Sequence, residues 1–182
     1  STYSVRIETD GNLMEYIEVR VNGDRLQIKV RNNFNLDPTK GINVYVSAPV
    51  YNGISASGAC DVSSENKLIT SEVFDIDVSG ASNITLDLKA PTIEGQMSGA
   101  CKVNLKGETK DFKIDGSGSS EIRCFELMAE NVDVGISGAG HADVFASVSL
   151  KADLSGAGSI KYKGNPSVSQ NVSGAGSVSK AD

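Results

Sequence analysis

The fold is decided by the last fifty residues, Asp133–Asp182, which read DVGISGAGHADVFASVSLKADLSGAGSIKYKGNPSVSQNVSGAGSVSKAD. Within them the phrase SGAG occurs three times, and its first glycines, Gly138, Gly156 and Gly174, are eighteen residues apart. A glycine-rich phrase before a helix can bind a phosphate, whereas the same phrase on a fixed period indicates a repeating architecture. The rest of the chain decides between these two interpretations.

The repeat reaches back through most of the chain, in seven segments that align on one glycine. Successive glycines are 22, 19, 17, 22, 18 and 18 residues apart, so the period is close to 19. A period of about 20 residues is typical of solenoid proteins. The aligned corner glycines are Gly58, Gly80, Gly99, Gly116, Gly138, Gly156 and Gly174.

Apolar residues alternate with polar ones on both sides of each glycine. In five of the seven segments the residue four positions after the glycine is apolar. In this alignment the other two segments carry two extra residues, one pair before Ile122 and one pair before Val144. An insertion of two preserves the inward and outward parity of a strand. Alternation around a small-residue corner predicts strand, bend and strand. The residues two before the glycine are all apolar: Ala56, Val78, Met97, Ile114, Ile136, Leu154 and Val172.

This period suits a parallel β-helix, in which each coil lies about 4.8 Å above the last. We therefore predict an all-β, single-domain protein over residues 1–182, with irregular strands at 1–53 and regular coils at 54–182. The stretch FELMAENV, Phe125–Val132, is expected to form one helical turn at most. At each corner we expect glycine to supply the bend, the following Ala or Ser to fit the interior, and the preceding Ser to form an outward hydroxyl ladder.

The N-terminal part is less regular and indicates antiparallel strands. A strong hairpin signal lies in IEVRVNGDRLQIKV, Ile17–Val30, which alternates on both sides of Asn22-Gly23. A further strand that ends at a proline turn is indicated by GINVYVSAP, Gly41–Pro49. We expect this part to cover the first coil, which would otherwise expose a strand edge. The C-terminal SVSKAD carries no comparable cap.

The coil register also predicts the state of the cysteines. Cys60 and Cys101 fall in one column two coils apart, so their Cα atoms should be separated by about 9.6 Å. A disulfide spans no more than about 7 Å between Cα atoms. We therefore expect both to be free thiols. No CxxC motif or His/Cys cluster indicates a zinc site.

Composition excludes several classes of partner. A net charge of -6 and a pI near 4.8 argue against nucleic acid and anionic membranes, which favour a basic surface. No apolar run of about 18 residues is present, so no transmembrane segment is expected in this chain. A chain that begins STYSV, without Met, is expected to be a processed or trimmed form.

No motif points to a catalytic, cofactor or metal site. Nucleotide-binding glycine loops need a following helix, and a P-loop needs a lysine, but no copy of SGAG has either. His141 is the only histidine and is interpreted as a solvated loop residue. Asp77 and Asp153 share a column but lie four coils apart, about 19 Å, which is too far for the carboxylate pair of a glycoside hydrolase. We expect no enzyme activity and no cofactor.

Two stretches resemble a known family. They are SVRIETDGNLMEYIEVRVNGDRLQIKV, Ser4–Val30, and GINVYVSAPVYNGISASGACDV, Gly41–Val62, which recurring G-[AS]-G corners follow. Their order is similar to that of the bacterial auto-transporter adhesin, head GIN domain family. The resemblance implies a right-handed parallel β-helix like that of pectin lyases, in an exported envelope or surface protein of a Gram-negative bacterium. It also implies a further segment before Ser1, which would carry an export signal or a lipid anchor.

These observations predict a non-enzymatic cell-surface or envelope protein that uses a rigid β-helix surface for adhesion to a glycan or protein of a host or bacterial surface. Two alternatives stay open. One is a polysaccharide-binding or -processing protein of pectin-lyase type, and the other is a self-assembling envelope scaffold whose uncapped C-terminal coil forms a homo-oligomer. The candidate binding face comprises the outward residues before each glycine: Ser57, Ser79, Ser98, Asp115, Ser137, Ser155 and Ser173.

Overall fold

The chain divides into two compact units, Ser1–Pro49 and Val50–Asp182, in a computed structural model that describes residues 3–32, 34 and 36–182. Both units are built from β-strands. Among the described residues, the one helical element is a 3₁₀ turn at Met14–Tyr16. The expectation that the N-terminal part covers the first coil stays a prediction.

The first unit consists of four strands in two antiparallel pairs: β1 (Ser4–Glu8) with β4 (Asn43–Ser47), and β2 (Ile17–Asn22) with β3 (Arg25–Val30). The hairpin and the strand before the proline turn are thus confirmed. The two turn residues are Gly23 and Asp24, one position later than the sequence signal. Gly23 has φ 63°, a left-handed conformation that glycine adopts without steric cost.

The second unit is the predicted parallel β-solenoid, with about seven coils about 19 residues apart. Each long strand starts just after one corner and runs to the glycine of the next, so Phe125–Val132 is extended and forms no helical turn. Its strands are β5 (Gly53–Gly58), β6 (Asp61–Ser63), β7 (Leu68–Ile69), β8 (Val73–Gly80), β9 (Asn83–Gly99), β10 (Lys102–Gly118), β11 (Glu121–Gly138), β12 (His141–Gly156), β13 (Ser159–Lys163), β14 (Ser167–Gly174) and β15 (Ser177–Lys180).

One column of glycines forms the corner of the coils: Gly58, Gly80, Gly99, Gly118, Gly138, Gly156 and Gly174. All have φ between 85° and 117°. The coils also approach closely here, because a Cβ on Gly118 or Gly138 would lie 2.7 or 2.6 Å from the carbonyl oxygen of the preceding corner glycine. Only glycine meets both conditions without strain.

The fourth corner corrects the sequence alignment. Gly118, not Gly116, pairs with the neighbouring corner glycines, so the alignment on Gly116 was wrong by two residues. With Gly118 in place, Ile122 and Ala142 occupy the position four after the corner, and neither segment needs an insertion. The same shift moves Ile114 out of the column of Val78 and Met97, and Gly116 takes its place there.

The interior of the corner is filled by the residue two after the glycine rather than one. The directly following residues, such as Ala81 and Ala139, are exposed, so the expectation that they fit the interior is wrong. The inward column is instead Cys60, Ser82, Cys101, Ser120, Gly140, Gly158 and Gly176. Its polar groups are bonded locally, as where Ser120 Oγ donates to the Ser117 carbonyl oxygen at 2.8 Å.

The cysteines occupy the interior without forming a disulfide. Cys60 and Cys101 lie two coils apart in the inward column, as predicted, and both are free thiols. The third thiol, Cys124, is buried in the core. Burial raises the pKa of Cys124 to about 12, so this thiol stays protonated at neutral pH.

The core is a set of stacked aliphatic columns inside the coils. Phe74, Ile84 and Ile93 are among the fully buried side chains, and such burial contributes about 25 cal/mol per Å² of apolar area. At one position a small residue makes room for a large one in the next coil, because a Cβ on Gly95 would lie 2.9 Å from Cγ1 of Ile114. This packing fixes the register that positions the outer columns.

Candidate binding surface

A column of serines runs along the outside of the solenoid, one position before the corner glycine. The register aligns Ser57, Ser79, Ser98, Ser117, Ser137, Ser155 and Ser173. Six of these seven serines are exposed, and Ser79 is half-buried. Asp115 does not belong to the column, because the corrected fourth corner places Ser117 there. We call this set the serine column.

The hydroxyls of the serine column are stacked but not bonded to each other. Ser117 Oγ donates to the Met97 carbonyl oxygen at 3.2 Å. Among the described residues no hydrogen bond joins two hydroxyls of the column, so it is not the bonded ladder that the sequence suggested. Serine side chains are short, and equivalent hydroxyls repeat at the coil spacing of about 4.8 Å, which exceeds a hydrogen-bond distance. Most of these hydroxyls therefore remain free to bond a ligand.

A second polar column lies beside the serine column, two residues earlier on each strand. It consists of Ser55, Asp77, Gln96, Asp115, Gly135, Asp153 and Asn171. Asp115 thus lies midway between Asp77 and Asp153, two coils from each, or about 9.6 Å by the strand spacing. The sequence alignment missed this carboxylate because it assigned Asp115 to the wrong column. We call this set the acidic column.

The carboxylates of the acidic column have different surroundings. The carboxylate of Asp115 lies against Gly135. A Cβ at position 135 would collide with Asp115 Oδ1, so the glycine leaves room for the carboxylate. Asp153 Oδ2 instead contacts Lys151 Nζ at 2.9 Å. Hydrogen bonds to Asp153 and Asp133 raise the pKa of Lys151, which keeps the ammonium charged. Asp115 has no such cation beside it among the described contacts.

The two columns line one open groove of about 770 Å³. Its lining includes five serines of the serine column, the three carboxylates and the side chains of Gln96 and Asn171. None of the described residues that line the groove is basic. The groove therefore offers hydroxyl, amide and carboxylate groups, which suits a ligand rich in hydrogen-bond donors.

The surface after the corner is polar too, but its side chains bind each other. Asn83 Nδ2 donates to Asp61 Oδ1 at 2.6 Å. Lys102 Nζ lies 2.7 Å from Glu121 Oε2, and this hydrogen bond, followed by the one from Arg123, lowers the pKa of Glu121. Both contacts, Asn83 with Asp61 and Lys102 with Glu121, link neighbouring coils. These groups are consequently less available to a ligand than those of the groove.

The lone histidine is in a different place from the one expected. His141 begins β12 and is half-buried, not a solvated loop residue. Its Nδ1 lies 2.6 Å from Ser159 Oγ and its Nε2 lies 2.9 Å from Asp143 Oδ1. The sequence analysis missed this cluster, although the corner register places His141 and Ser159 in one column.

The order of groups in this cluster matches that of a hydrolase triad, with a hydroxyl, an imidazole and a carboxylate. A triad also needs free donors for the oxyanion. The backbone N–H of His141 donates to Ser120, however, and that of Ser159 donates to Gly140. Neither of these two groups is therefore available to an oxyanion, and the contact between His141 and Ser159 joins neighbouring coils.

Two other kinds of feature are absent from the described residues. No group of three or more His, Cys, Asp or Glu side chains there could hold a metal ion. The described part of the chain also has no helix that is long and apolar enough to cross a membrane.

The family model described as "Putative auto-transporter adhesin, head GIN domain" matches residues 1–166. The chain belongs to this family. The resemblance seen in the sequence is thereby confirmed. The matched part of the head GIN domain contains six of the seven corner glycines, and the coil of Gly174 lies beyond it.

Solved structures share the fold of this head GIN domain. One from Bacteroides fragilis, described as a putative adhesin, is 27% identical with a TM-score of 0.93, over 99% of this chain and 83% of that chain. A putative adhesin from Parabacteroides merdae is 23% identical (TM-score 0.79; 98% and 83% covered). A putative lipid binding protein from Parabacteroides distasonis is 19% identical (TM-score 0.73; 100% and 85% covered). The latter two show the fold alone. No curated protein matches the chain.

Proposed function

We propose that this chain is a non-enzymatic adhesion protein that binds a surface glycan in the groove between the serine and acidic columns. The observation that carries the proposal is the row of serine hydroxyls, most of them unbonded, that repeats at each coil beside Gln96, Asp115 and Asn171. A polymer with repeating hydroxyl groups can bond such a row in register. The family description and the Bacteroides fragilis structure described as a putative adhesin support this function.

We also propose that the protein acts at the cell envelope or surface of a Gram-negative bacterium, held by a lipid anchor ahead of Ser1. The family description and the bacterial sources of the similar structures support an exported location. Fractionation of cells that express the full-length gene product tests this, with protease treatment of intact cells as the second step. Recovery in the cytosol, protected from protease, contradicts it.

The binding experiment is a screen of the purified protein against arrayed glycans, with extracellular-matrix proteins in parallel. We expect saturable binding to at least one glycan. Ser137→Lys and Ser155→Lys place a long side chain in the middle of the groove and should weaken that binding about tenfold or more, because they block the hydroxyl row.

The matched control is Ser63→Lys, which places the same side chain at an exposed serine outside the groove lining. It should leave the affinity unchanged. Equal loss in all three variants would indicate a charge effect rather than a groove. Binding that none of them changes locates the ligand elsewhere, and no binding to any arrayed glycan or protein argues against adhesion.

A second candidate is polysaccharide processing of pectin-lyase type, which the corrected position of Asp115 favours. Inverting glycoside hydrolases hold two carboxyl groups about 6.5 to 9.5 Å apart. Asp115 lies about 9.6 Å by strand spacing from both Asp77 and Asp153, at the limit of that range. Release of reducing ends from a polysaccharide, abolished by Asp115→Asn, would establish this activity in place of adhesion. Absence of release with glycan binding intact supports the adhesion proposal.

A further inference from the structure

The last coil leaves two strand edges unpaired. β14 (Ser167–Gly174) pairs with β12 and β15 (Ser177–Lys180) pairs with β13, and neither has a second partner among the described residues. The strands β10 and β11 in the middle of the solenoid are paired on both sides. The free backbone groups of β14 can therefore pair with a further strand.

The same edge also exposes apolar core positions. Val168 and Val172 are 39% and 40% exposed, whereas Leu150 and Leu154, one coil earlier in the same columns, are 1% and 2% exposed. The open surface is thus a continuation of the coil-to-coil interface that buries the other coils. A strand laid on β14 would bury both valines.

Nothing in β14 protects it from pairing. Its eight residues, SVSQNVSG, include no charge and no proline, and all eight pair with β12 without a bulge. Natural edge strands usually carry charges, prolines or bulges that prevent association. An uncharged and regular edge of this length is consequently suited to a partner strand.

We infer that β14 pairs with β14 of a second copy of this chain, antiparallel and centred on Gln170. This register places Val168 opposite Val172 of the second copy, and the reverse, so that apolar side chains face each other twice. The two Gln170 side chains lie opposite each other. The arrangement is the self-complementary interface of a two-fold dimer.

Gln170 decides between this pairing and a head-to-tail stack. Its column contains Ile54, Ile76 and Ile114 in earlier coils. Stacking β14 on the first coil of another copy would place the amide of Gln170 against Ile54 and bury it without a partner. In the head-to-head dimer each Gln170 amide can donate to and accept from the other.

The test begins with the oligomeric state of the purified chain, by sedimentation over a range of concentrations. We expect a monomer–dimer equilibrium. Val172→Lys should raise the dissociation constant about tenfold or more, since it removes the apolar contact with Val168 of the second copy and places an unpaired charge at the interface. Val148→Lys is the matched control, because Val148 is 57% exposed and lies outside β14, and it should change nothing. A monomer at all concentrations, or equal effects of both variants, overturns the inference.

The register is tested by oxidative cross-linking of single cysteine variants. Gln170→Cys places two thiols opposite each other, and copper-catalysed oxidation by oxygen should join them into a disulfide-linked dimer. Ser167→Cys on the same strand places its two thiols roughly 20 Å apart, so it should cross-link no more than the native chain with its three free thiols. Equal cross-linking of both variants, or growth beyond a dimer, contradicts the head-to-head register. Glycan binding in the groove is a separate readout and stands or falls independently.

Discussion

The two outer surfaces on either side of the glycine corner come from the same repeat but use their polar residues differently. After the corner, Asn83 bonds Asp61 and Lys102 pairs with Glu121, so polar groups of neighbouring coils satisfy each other. Before the corner, the serine column is stacked without mutual hydrogen bonds, and Asp115 lies over a glycine. The surface after the corner is closed on itself, whereas the serine and acidic columns are largely open, apart from Asp153, which contacts Lys151.

The comparison indicates how a repeat with one core can separate stability from binding. Inward columns are apolar beneath both surfaces, and backbone pairing between parallel strands sets the coil spacing. Outward columns are free to vary, because exposed ion pairs add only about 0–1 kcal/mol each. Residues on one outer surface can then differ for binding with little change in the stability of the fold.

The largest effect should come from the shared core. Ile93→Ala, beneath the groove, and Ile84→Ala, beneath the paired surface, each remove a side chain that is 0% exposed. Each should lower the free energy of unfolding by about 2–5 kcal/mol, as measured by urea denaturation. Ile69→Ala is the control, since Ile69 is 60% exposed. If only one of the buried variants is destabilised, the two surfaces do not rest on one core.

The corner that separates the two surfaces should give the next largest effect. Gly138→Ala forces an L residue to φ 113° and brings its Cβ to 2.6 Å from the Gly118 carbonyl oxygen. We expect a loss of about 2–4 kcal/mol in the free energy of unfolding, measured by the same urea denaturation.

Gly58→Ala separates the two causes, because Gly58 has φ 94° but a Cβ added there would meet no neighbouring atom within 4 Å. It should cost only the backbone strain of about 1–2 kcal/mol. Equal losses at Gly58 and Gly138 would mean that close stacking of the coils contributes nothing to the choice of glycine.

Much of the fold could be predicted from the sequence because the corner imposes a residue type. Positive φ and close stacking demand glycine, and this demand repeats with every coil. The one misplaced corner lies in GSGSSEI, which offers two glycines. The residue four after Gly118 is the apolar Ile122, whereas the residue four after Gly116 is Ser120. The apolar column, rather than the phrase, identifies the true corner.

The candidate groove was only partly predictable. The serine column follows from the repeat, but the acidic column depended on the correct position of Asp115, so a two-residue error concealed it. The contacts of His141 with Ser159 and Asp143 depend on side-chain rotamers. Spacing in the sequence can bring such residues to one face, but it cannot determine which of them bond.

The smallest effect should appear on the paired surface, and it depends on pH. The Lys102 hydrogen bond, and then that of Arg123, holds the pKa of Glu121 below its usual 4.5. A carboxyl whose pKa is lower in the folded state stabilises the fold above its unfolded pKa, and this contribution is lost as the pH falls through the folded pKa.

Glu121→Gln should therefore reduce the unfolding free energy by about 0–1 kcal/mol at neutral pH, and the difference from the native chain should vanish in acid. Ser137→Ala, in the groove, should show no such pH dependence. A pH-independent loss in Glu121→Gln, measured by urea denaturation at both pH values, would mean that the paired surface is held by packing rather than by charge.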